Sequence, residues 1–562
     1  MSLIVKQTQK ELRTRIIDAL GRAVANGELP GEIIPDFNIE KPANSANGDF
    51  SANVALAGAK AFKKAPRVIA ECIKNNLYLD GTLFDRVEIA GPGFLNFYLS
   101  DRYYSEIVKD VMNKGEDYGK SDFGKGKKIL VEFVSANPTG PMHIGNARGG
   151  AIGDCLSSVL EWAGYEVNRE FYVNDAGNQI EKFATSLEVR YLQLYKDGVE
   201  MPEDAYHGAD ITEHAKNFAE EYGDKYVEAS SEDRRKALVD FALPKNIAGL
   251  ERDLLSYRIK YDRWFKESTL HADGSVKEII EKFKELGVTY EQDGALWFKA
   301  SEFGNDKDVV LIRANGIPTY IVPDIAYHYN KLVTRGYDKA VDVLGADHHG
   351  YVPRMKAALS ALGIDADRLD CVIMQMVRLV RNGETIKLSK RSGKAITLTT
   401  LLEEIPIDAA RFFFNLREPN SHFDFDLDLA AQETSQNPVY YVQYAHARIC
   451  SILKKAQDEG ATLRTPTSEE LDMLTSDEER ELIRHLSTLT DEIVVAAKAY
   501  DPAKITHFVI ELATLFHKFY NARRVMVEDE GLMQARLYLC LAVKETIKNI
   551  LTMLKISAPE TM

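Results

Sequence analysis

A strand, a glycine-bearing turn and a helix follow one another between residues 127 and 164, and this order constrains the fold more than any other feature of the sequence. The apolar run KKILVEFV precedes the turn PTGPMHIGNARGG, residues 138–150, and the helical segment AIGDCLSSVLEWAG follows it. A turn of this kind between a strand and the N-terminus of a helix commonly approaches a phosphate group. The sequence therefore predicts a phosphate-binding turn within an α/β domain.

Apolar runs and helical segments alternate from residue 129 to about residue 430. The runs are ILVEFV, EVNREFYVND, VVLIRA, KAVDVLGAD and DCVIMQMVRLV. Because strands that alternate with helices pair in parallel, residues 129–430 are predicted to form an α/β domain with a parallel sheet. Polar helical material at about residues 176–265 interrupts the alternation, and we expect it to be an insertion between the halves of the sheet.

Different patterns flank the α/β domain. Residues 1–113 combine segments of helical spacing with two short strands around Gly91, Pro92 and Gly93, which predicts a small α+β unit. Residues 114–128 are rich in glycine, lysine and aspartate without periodicity, and they are predicted to be a linker. After residue 435 only helical periodicity remains. Residues 435–562 are therefore predicted to be an all-α unit, in which one helix face carries Ile505, Phe508, Leu512, Leu515, Phe516 and Phe519.

The composition limits the classes of protein to which the chain can belong. With 562 residues, of which 45% are hydrophobic, it is long enough for about three or four domains. Its net charge of −15 means that any nucleic acid must be bound by local basic patches. The five cysteines form no CxxC pair, which argues against a disulfide framework and a thiolate zinc site. No signal peptide and no apolar run of roughly 18 to 20 residues is present, so we expect a soluble, cytoplasmic protein.

Two common phosphate-binding motifs do not fit the turn. The segment GKSDFGKG resembles a P-loop, but Gly126 follows Lys125 where serine or threonine is needed, and the segment precedes its strand. A dinucleotide fingerprint needs the spacing G-x-G-x-x-G. That spacing is not met by the glycines of the turn and helix, which are Gly145, Gly149, Gly150 and Gly153.

The histidine of the turn offers a third interpretation. His143 and Gly145 lie where the chain enters the helix, so that the glycine can admit a flat base and the imidazole can donate to an oxyanion on phosphorus. The alternative is an ordinary turn in which His143 only caps the helix. A second signal supports the functional interpretation, because the basic segment KLSKRSGK, residues 387–394, follows about 240 residues later. It is predicted to be a loop that clamps a leaving pyrophosphate, although a solvated surface loop would have the same composition.

The two signals together resemble the HIGH and KMSK signatures of class I aminoacyl-tRNA synthetases. More narrowly, the chain resembles an arginyl-tRNA synthetase over nearly its whole length. The matching stretches, in order, are VEFVSANPTGPMHIGNARGGAIGD, FYVNDAGNQI, YDRWFKESTL, IPTYIVPDIAYHYNK, LGADHHGYVPRM, KLSKRSGK and NPVYYVQYAHARI. Two positions depart from the signatures: Asn146 replaces the second histidine and Leu388 replaces the methionine. The first change implies that the side chain at this position stabilises the transition state without a charge. The second change conserves apolar volume.

The resemblance implies an architecture and a reaction. Residues 129–430 would be a Rossmann-like catalytic domain with its insertion and clamp loop. Residues 1–113 would contact tRNA, and residues 435–562 would form a helical anticodon-binding domain. L-Arginine would react with ATP to give arginyl-adenylate and pyrophosphate, and the 3′-terminal adenosine of tRNA(Arg) would then accept the arginyl group. We expect a monomer without membrane contact, and no tightly bound cofactor, since Mg²⁺ would be held by ATP and water rather than by a protein metal site.

The resemblance also assigns residues to the nucleotide. The catalytic residues would be His143, Asn146, Lys387 and Lys390, which donate to or neutralise phosphate oxygens. The ATP-binding residues would be Pro138, Thr139, Gly140, His143, Gly145, Asn146, Ser389 and Lys390.

An arginine substrate requires carboxylates, because a guanidinium is always charged and presents a planar set of donors. Glu132 lies inside the apolar strand ILVEFV, where an unpaired carboxylate would be costly, and a structural ion pair is the alternative explanation. Asp324 follows Pro323 near a predicted helix start and could instead be an N-cap. The residues that the resemblance assigns to arginine are Glu132, Ser135, Asn137, Glu267, Tyr320, Asp324 and His348.

The C-terminal helices carry the candidate tRNA contacts. Aromatic and arginine side chains at spacings of four suit unstacked bases, but the core of a helix bundle explains most of the tyrosines equally well. The candidates are Tyr440, Tyr444, Arg448 and Arg523, of which the last could simply be a solvated helix end. Three other functions stay open: a class I synthetase for another amino acid, an RNA-binding paralogue without activation chemistry, and a nicotinamide-dependent oxidoreductase.

Overall fold

The computed structural model describes residues 3–31, 35–42, 44, 47–386 and 396–562. Within them the chain forms an N-terminal α+β unit, a parallel sheet with a helical insertion, and a C-terminal set of helices. This order of units is the predicted architecture.

The N-terminal unit contains an antiparallel sheet. Strands β1 (Ile39–Glu40), β2 (Phe50–Ala52), β3 (Phe84–Ala90) and β4 (Phe94–Leu99) lie in the order β1-β2-β4-β3. The sheet shares one hydrophobic core with helices α1 (Leu3–Ala25), α2 (Val54–Phe62) and α3 (Pro66–Asn75). The predicted hairpin is confirmed, and its turn needs glycine because Gly91 and Gly93 have φ angles of 50° and 137°.

The next helix, α4 (Asp101–Lys114), joins a different core. Its residues Tyr103 and Tyr104 are buried in the cluster that contains the C-terminal helices. Arg484 donates to the hydroxyl of Tyr104 at 2.6 Å, and the hydroxyl of Tyr118 donates to the carbonyl of Leu486 at 2.7 Å. The chain between the N-terminal unit and the first parallel strand is therefore fixed to the C-terminal helices.

The remaining strands belong to three sheets. In chain order they are β5 (Lys128–Glu132), β6 (Glu166–Val173), β7 (Arg263–Lys266), β8 (Thr289–Gln292), β9 (Ala295–Phe298), β10 (Val309–Ile312), β11 (Lys339–Gly345), β12 (Leu369–Met374), β13 (Val377–Arg381), β14 (Glu384–Thr385) and β15 (Phe423–Asp426). Their helices are α5 (Ile144–Trp162), α6 (Asn178–Leu192), α7 (Ala209–Tyr222), α8 (Ser231–Ser256), α9 (Glu267–Ala272), α10 (Ser275–Glu285), α11 (Ile321–Tyr329), α12 (Tyr351–Ala361), α13 (Leu398–Glu404), α14 (Ile407–Phe414) and α15 (Leu427–Ala431).

The parallel sheet has the strand order β12-β11-β5-β6-β7, which places β5 at its centre. Val131 of β5 pairs with Val341 of β11 on one side and with Arg169 of β6 on the other. In open sheets of this type, ligands bind beyond the carboxyl ends of the strands. The turn that follows β5 therefore lies at the edge where a substrate site is expected.

One of the apolar runs does not extend the parallel sheet as predicted, and another extends it only with its first half. The run VVLIRA forms β10, which pairs antiparallel with β9 in a separate sheet of order β10-β9-β8. The run DCVIMQMVRLV divides into β12, in the parallel sheet, and β13, in a small sheet of order β14-β13-β15. A short apolar run specifies a buried strand but not its partner, so the sequence pattern could not separate these cases.

The insertion is a small helical unit with its own core. Helices α6, α7 and α8 bury Phe183, Leu187, Tyr191, Phe218 and Leu238 among others. After α8 the chain returns to the parallel sheet at β7, which pairs with β6 at the sheet edge. The sheet therefore resumes at residue 263, just before the predicted end of the insertion.

The C-terminal region is helical, as predicted. Its helices are α16 (Pro438–Asp458), α17 (Ser468–Leu471), α18 (Asp477–Ser487), α19 (Leu489–Ala499), α20 (Ala503–Ala522) and α21 (Glu530–Met553). The six residues predicted to share one face of α20 are all buried. Among the described residues, no helix combines the length and the apolar character that crossing a membrane requires.

Candidate active site

The turn between β5 and α5 is closed by a reciprocal cap. Nδ1 of His143 accepts a hydrogen bond from the backbone N–H of Gly145 at 3.1 Å, and Oδ1 of Asn146 accepts from the backbone N–H of His143 at 3.0 Å. A β-carbon on Gly145 would lie 2.9 Å from Cε1 of His143, so the ring needs a glycine beneath it. Because Nδ1 accepts, the proton of a neutral ring is on Nε2. The capping role and the predicted donor role of His143 are therefore compatible.

The chain that follows the predicted clamp loop packs against this turn. Thr397 forms an antiparallel bridge with His143, and the backbone N–H of Leu398 donates to the carbonyl of Met142 at 2.9 Å. Thr397 also caps α13 through its hydroxyl. The predicted loop residues Lys387, Ser389 and Lys390 lie outside the described residues, and their roles stay predictions.

A cavity of about 730 Å³ opens beside the carboxyl ends of β6 and β7. It contains three of the residues predicted to bind arginine, Glu267, Tyr320 and Asp324. The Tyr320 side chain is at the rim, where the residue is 62% exposed and its hydroxyl accepts from Nη1 of Arg354 at 2.8 Å. The remaining lining residues include Tyr172, Asn174, Gln179, His271, Arg313 and Thr319.

Asp324 is the residue of this cavity with the most unusual environment. It lies in the first turn of α11, whose N-cap is Tyr320, so Asp324 is not the N-cap. Its carboxylate has no hydrogen bond or ion pair with any residue that the structure describes. Burial, together with the charges of Glu267 and Glu132, raises the pKa of Asp324 well above its ordinary value. An acidic pocket of this kind favours a cationic ligand.

Glu267 reinforces the negative character of the cavity. It is the first residue of α9, and burial raises the pKa of its carboxyl. Nε2 of His271 lies 3.6 Å from Oε1 of Glu267, four residues earlier on the same helix. Burial also raises the pKa of the Tyr172 hydroxyl, and the neighbouring charges of Glu267 and Asp324 raise it further. Two carboxylates, Glu267 and Asp324, therefore line the cavity together with Arg313 and His271.

Glu132, by contrast, has a cation of its own. Nζ of Lys331 lies 2.5 Å from Oε2 of Glu132, and the Ser135 hydroxyl donates to Oε1 at 2.9 Å. Lys331 is fully buried and also lies 2.9 Å from Oδ1 of Asp342. The structural ion pair that the sequence left open is thus present. Lys331 pairs with Glu132 and Asp342 but not with Asp324.

His328 completes this buried network. Its Nε2 lies 2.7 Å from Oδ2 of Asp342, and its Nδ1 lies 2.8 Å from the backbone carbonyl of Asp324. Both partners are acceptors, so both bonds form fully only when the ring carries two protons. The network fixes the backbone of Asp324 and leaves its carboxylate to the cavity.

Ser135 and Asn137 connect the turn to the cavity. The Ser135 hydroxyl accepts from the backbone N–H of Tyr172 at 3.1 Å, and the side-chain amides of Asn137 and Asn174 are 3.2 Å apart. The φ angles of Val134 and Ser135 are 69° and 39°, which is strained backbone for side chains of these types. Strain of this kind commonly accompanies a functional site.

The other predicted residues lie elsewhere. His348 is in the turn after β11, with Nδ1 3.1 Å from Oδ1 of Asp347, and it does not line the cavity. On α16, Tyr444 is 41% exposed, and Arg448 lies 4.3 Å above the ring of Tyr520. Tyr440 is half-buried near the start of the same helix.

Arg523 follows the end of α20 and donates from Nε to Oε2 of Glu478 at 2.9 Å. The ion pair accounts for its position without RNA. Its predicted contact with tRNA, like those of Tyr440, Tyr444 and Arg448, stays a prediction.

Sequence reasoning missed the network behind the site. Asp342 lies within the apolar strand KAVDVLG, the same signal that identified Glu132. His328 and Lys331 follow Asp324 at spacings of four and seven, so all three lie on one side of the helix and its extension. Both signals were available in the sequence. For Asn174, in contrast, the only sequence signal for a place in the cavity is that it directly follows β6.

Comparisons with known proteins identify the family of each part of the chain. The Arginyl tRNA synthetase N terminal domain matches residues 10–99, the catalytic domain of tRNA synthetases class I (R) matches residues 107–450, and the DALR anticodon binding domain matches residues 442–562. The Arginine--tRNA ligases of Caldanaerobacter subterraneus subsp. tengcongensis and Acetivibrio thermocellus are 52% and 51% identical, each over 100% of both chains.

Solved structures share the fold. A structure from Campylobacter jejuni is 35% identical, with a TM-score of 0.74 over 83% of this chain and 100% of that chain. The arginyl-tRNA synthetase of Thermus thermophilus is 22% identical, with a TM-score of 0.72 over 98% of this chain and 100% of that chain. Since a class I catalytic domain spans residues 107–450 and full-length relatives reach 52% identity, the chain belongs to the arginyl-tRNA synthetase family of class I aminoacyl-tRNA synthetases.

Proposed function

We propose that the acidic cavity binds L-arginine and that the His143 turn binds ATP, so that the two regions form the active site of an arginine--tRNA ligase. The observation that carries this proposal is the carboxylate of Asp324, which is half-buried, faces a cavity and forms no ion pair or side-chain hydrogen bond with the described residues. A guanidinium stays charged under all physiological conditions and donates along a planar edge. It supplies the charge and the hydrogen bonds that Asp324 lacks, and it adds a cation beside Glu267.

In the first step, an oxygen of the arginine carboxylate attacks the α-phosphorus of ATP. The bond from this phosphorus to the oxygen that bridges to the β-phosphate breaks, and pyrophosphate leaves. His143 and Asn146 donate to phosphate oxygens as charge develops on them. Lys387 and Lys390 neutralise the leaving pyrophosphate, and Ser389 adds a donor beside them. The backbone of Pro138, Thr139 and Gly140 borders the nucleotide, and Gly145 admits its base.

In the second step, a hydroxyl of the 3′-terminal adenosine of tRNA(Arg) attacks the arginyl carbonyl. The bond from this carbonyl to the adenylate breaks, and AMP leaves. No side chain of the protein forms a covalent intermediate, so positioning and charge stabilisation provide the catalysis. ATP brings Mg²⁺ held by its phosphates and by water, which is the usual arrangement for this ion.

The residues that we propose to bind the substrate arginine have different roles. Asp324 and Glu267 bind the guanidinium, and Tyr320 closes the rim of the cavity. Ser135, Asn137 and Glu132 fix the path of the chain between cavity and turn and contribute polar groups to the amino acid. His348 is the remaining residue that we propose to contact arginine, although it does not line the cavity.

The helices after residue 435 bind the anticodon region of tRNA(Arg), with Tyr444 as an exposed aromatic ring that a base can stack on. The protein works as a cytoplasmic monomer without membrane contact.

Arginine binding is expected to release protons. The carboxyls of Asp324 and Glu267 have raised pKa values in the empty cavity, whereas a bound guanidinium favours their ionised forms. The affinity for arginine should therefore fall as the pH falls through these raised pKa values. Titration calorimetry in two buffers with different ionisation enthalpies should give different apparent enthalpies. Identical enthalpies in the two buffers would show that no proton is released. Titration with ATP, which does not bind these carboxyls, serves as the control.

The proposed reaction is tested by charging total tRNA with each of several labelled amino acids. We expect charging with arginine and background levels with lysine, which carries a cation without a planar fork. ATP–pyrophosphate exchange with arginine should be near background without tRNA and should appear when tRNA is added. Charging with a different amino acid would overturn the assignment.

A further inference from the structure

The helical insertion contacts both substrate regions, yet the proposed mechanism gives it no task. Residues 176–179, which lead into α6, line the acidic cavity. At the other substrate region, Nδ2 of Asn246 on α8 donates to the carbonyl oxygen of Pro138 at 2.9 Å. Because α6, α7 and α8 share one hydrophobic core, a single compact unit contacts the arginine cavity and the ATP turn.

The Asn246 contact anchors the first part of that turn, residues 136–141. Among the described residues, it is the only hydrogen bond made by the backbone of residues 136–141. Pro138 and Pro141 have no N–H to donate, so the turn has little capacity to hold itself through its own backbone. The position of this first part of the turn therefore depends on the helix that carries Asn246.

Two partners determine the orientation of the Asn246 amide. The carbonyl of Pro138 can only accept, so Nδ2 faces it. Oδ1 of Asn246 then lies 2.6 Å from Nε2 of His214, which must donate. His214 lies on α7 and Asn246 on α8, so this bond also joins the two helices.

A second residue of α7 approaches the same turn. Oδ2 of Asp210 lies 3.7 Å from the position that a β-carbon would take on Gly140. This oxygen is buried and has no hydrogen-bond partner among the described residues. Burial raises the pKa of Asp210. Both α7 and α8 therefore close on the turn, one at Gly140 and the other at Pro138.

We propose that Asn246, oriented by His214, is a positioning residue for ATP: it holds the turn of residues 138–140 where the nucleotide binds. The insertion that borders the arginine cavity thereby also holds the ATP turn. This inference rests on the proposed function, because it takes the turn as the ATP site.

The test is ATP–pyrophosphate exchange with arginine and tRNA, with KM measured separately for each substrate. Asn246→Ala should raise the KM for ATP about fivefold or more, because the turn loses its anchor. The KM for arginine should stay within about twofold of its original value. Asn246→Asp should have a larger effect, because it places a carboxylate oxygen against the carbonyl of Pro138.

Two further variants separate positioning from general stability. His214→Ala should raise the KM for ATP like Asn246→Ala, whereas His214→Gln retains an N–H donor and should restore most of the affinity. Asn217→Ala, an exposed asparagine on the same helix as His214, is the matched control and should change neither KM. Equal increases in both KM values for Asn246→Ala, or no rescue by glutamine at residue 214, would overturn the proposal.

The experiments separate a failure of the positioning role from a failure of the proposed function. If His143→Ser abolishes exchange while Asn246→Ala leaves the KM for ATP unchanged, the ATP site stands and the positioning role is wrong. If exchange is insensitive to His143→Ser, the turn is not the ATP site, and both proposals fail.

Discussion

Asp324→Asn should raise the KM for arginine by about 10²-fold or more and leave the KM for ATP within about twofold. The asparagine has nearly the shape of the aspartate, but it cannot form a charge-assisted hydrogen bond with the guanidinium. The same substitution should raise the melting temperature of the unliganded enzyme. A carboxyl whose pKa is raised by folding binds protons more tightly in the folded state, so ionising it at higher pH costs stability. Asparagine removes that cost.

This pair of effects, weaker binding with higher stability, is specific to a carboxylate that is held ready for a cation. Exchange kinetics and thermal unfolding at neutral pH measure both. Lys331→Met provides the contrast, because it removes the cation that pairs with Glu132 and Asp342 and should lower the melting temperature. An unchanged KM for arginine in Asp324→Asn would show that the cavity is not the arginine site.

His143→Ser should lower kcat for arginine activation by about 10² to 10³. Serine is a good N-cap, so it can replace Nδ1 as the acceptor for the first turn of α5, but it cannot reach a phosphate oxygen as Nε2 can. The melting temperature should therefore stay close to that of the parent enzyme. His143→Ala should lose the cap as well, at a cost of about 1 kcal/mol of stability. Single-turnover formation of pyrophosphate and thermal unfolding measure the two effects.

The serine variant distinguishes the two interpretations of His143. A rate near that of the parent enzyme would mean that the histidine only caps α5 and that the turn is not the ATP site. Equal losses of rate and of arginine affinity would indicate a distorted site rather than a missing donor.

Much of the fold and part of the site could be predicted from the sequence. The order of units, the parallel sheet and the turn before α5 follow from apolar spacing and from turn residues. The three cavity residues Glu267, Tyr320 and Asp324 followed from the family resemblance, and the structure brings them together. The run VVLIRA was assigned to the parallel sheet and belongs to an antiparallel one, because a short strand does not specify its neighbour.

The sequence by itself determined features that depend on residues close together in the chain. The cap joins His143 and Asn146, which are three positions apart, and the buried faces of the C-terminal helices repeat every three or four residues. Such features arise from backbone hydrogen bonds and side-chain periodicity, both of which a short segment contains.

Only the tertiary structure decided which charged groups are paired. Lys331 lies 199 positions after Glu132 and pairs with it, whereas Asp324, seven positions before Lys331, has a carboxylate that pairs with none of the residues described by the structure. Asn246 reaches Pro138 across 108 positions. The free energy of a buried charge depends on the atoms within a few ångströms, and folding brings those atoms from distant parts of the chain. The residue types were therefore visible in the sequence, but their pairing, and with it the acidic cavity, was decided by packing.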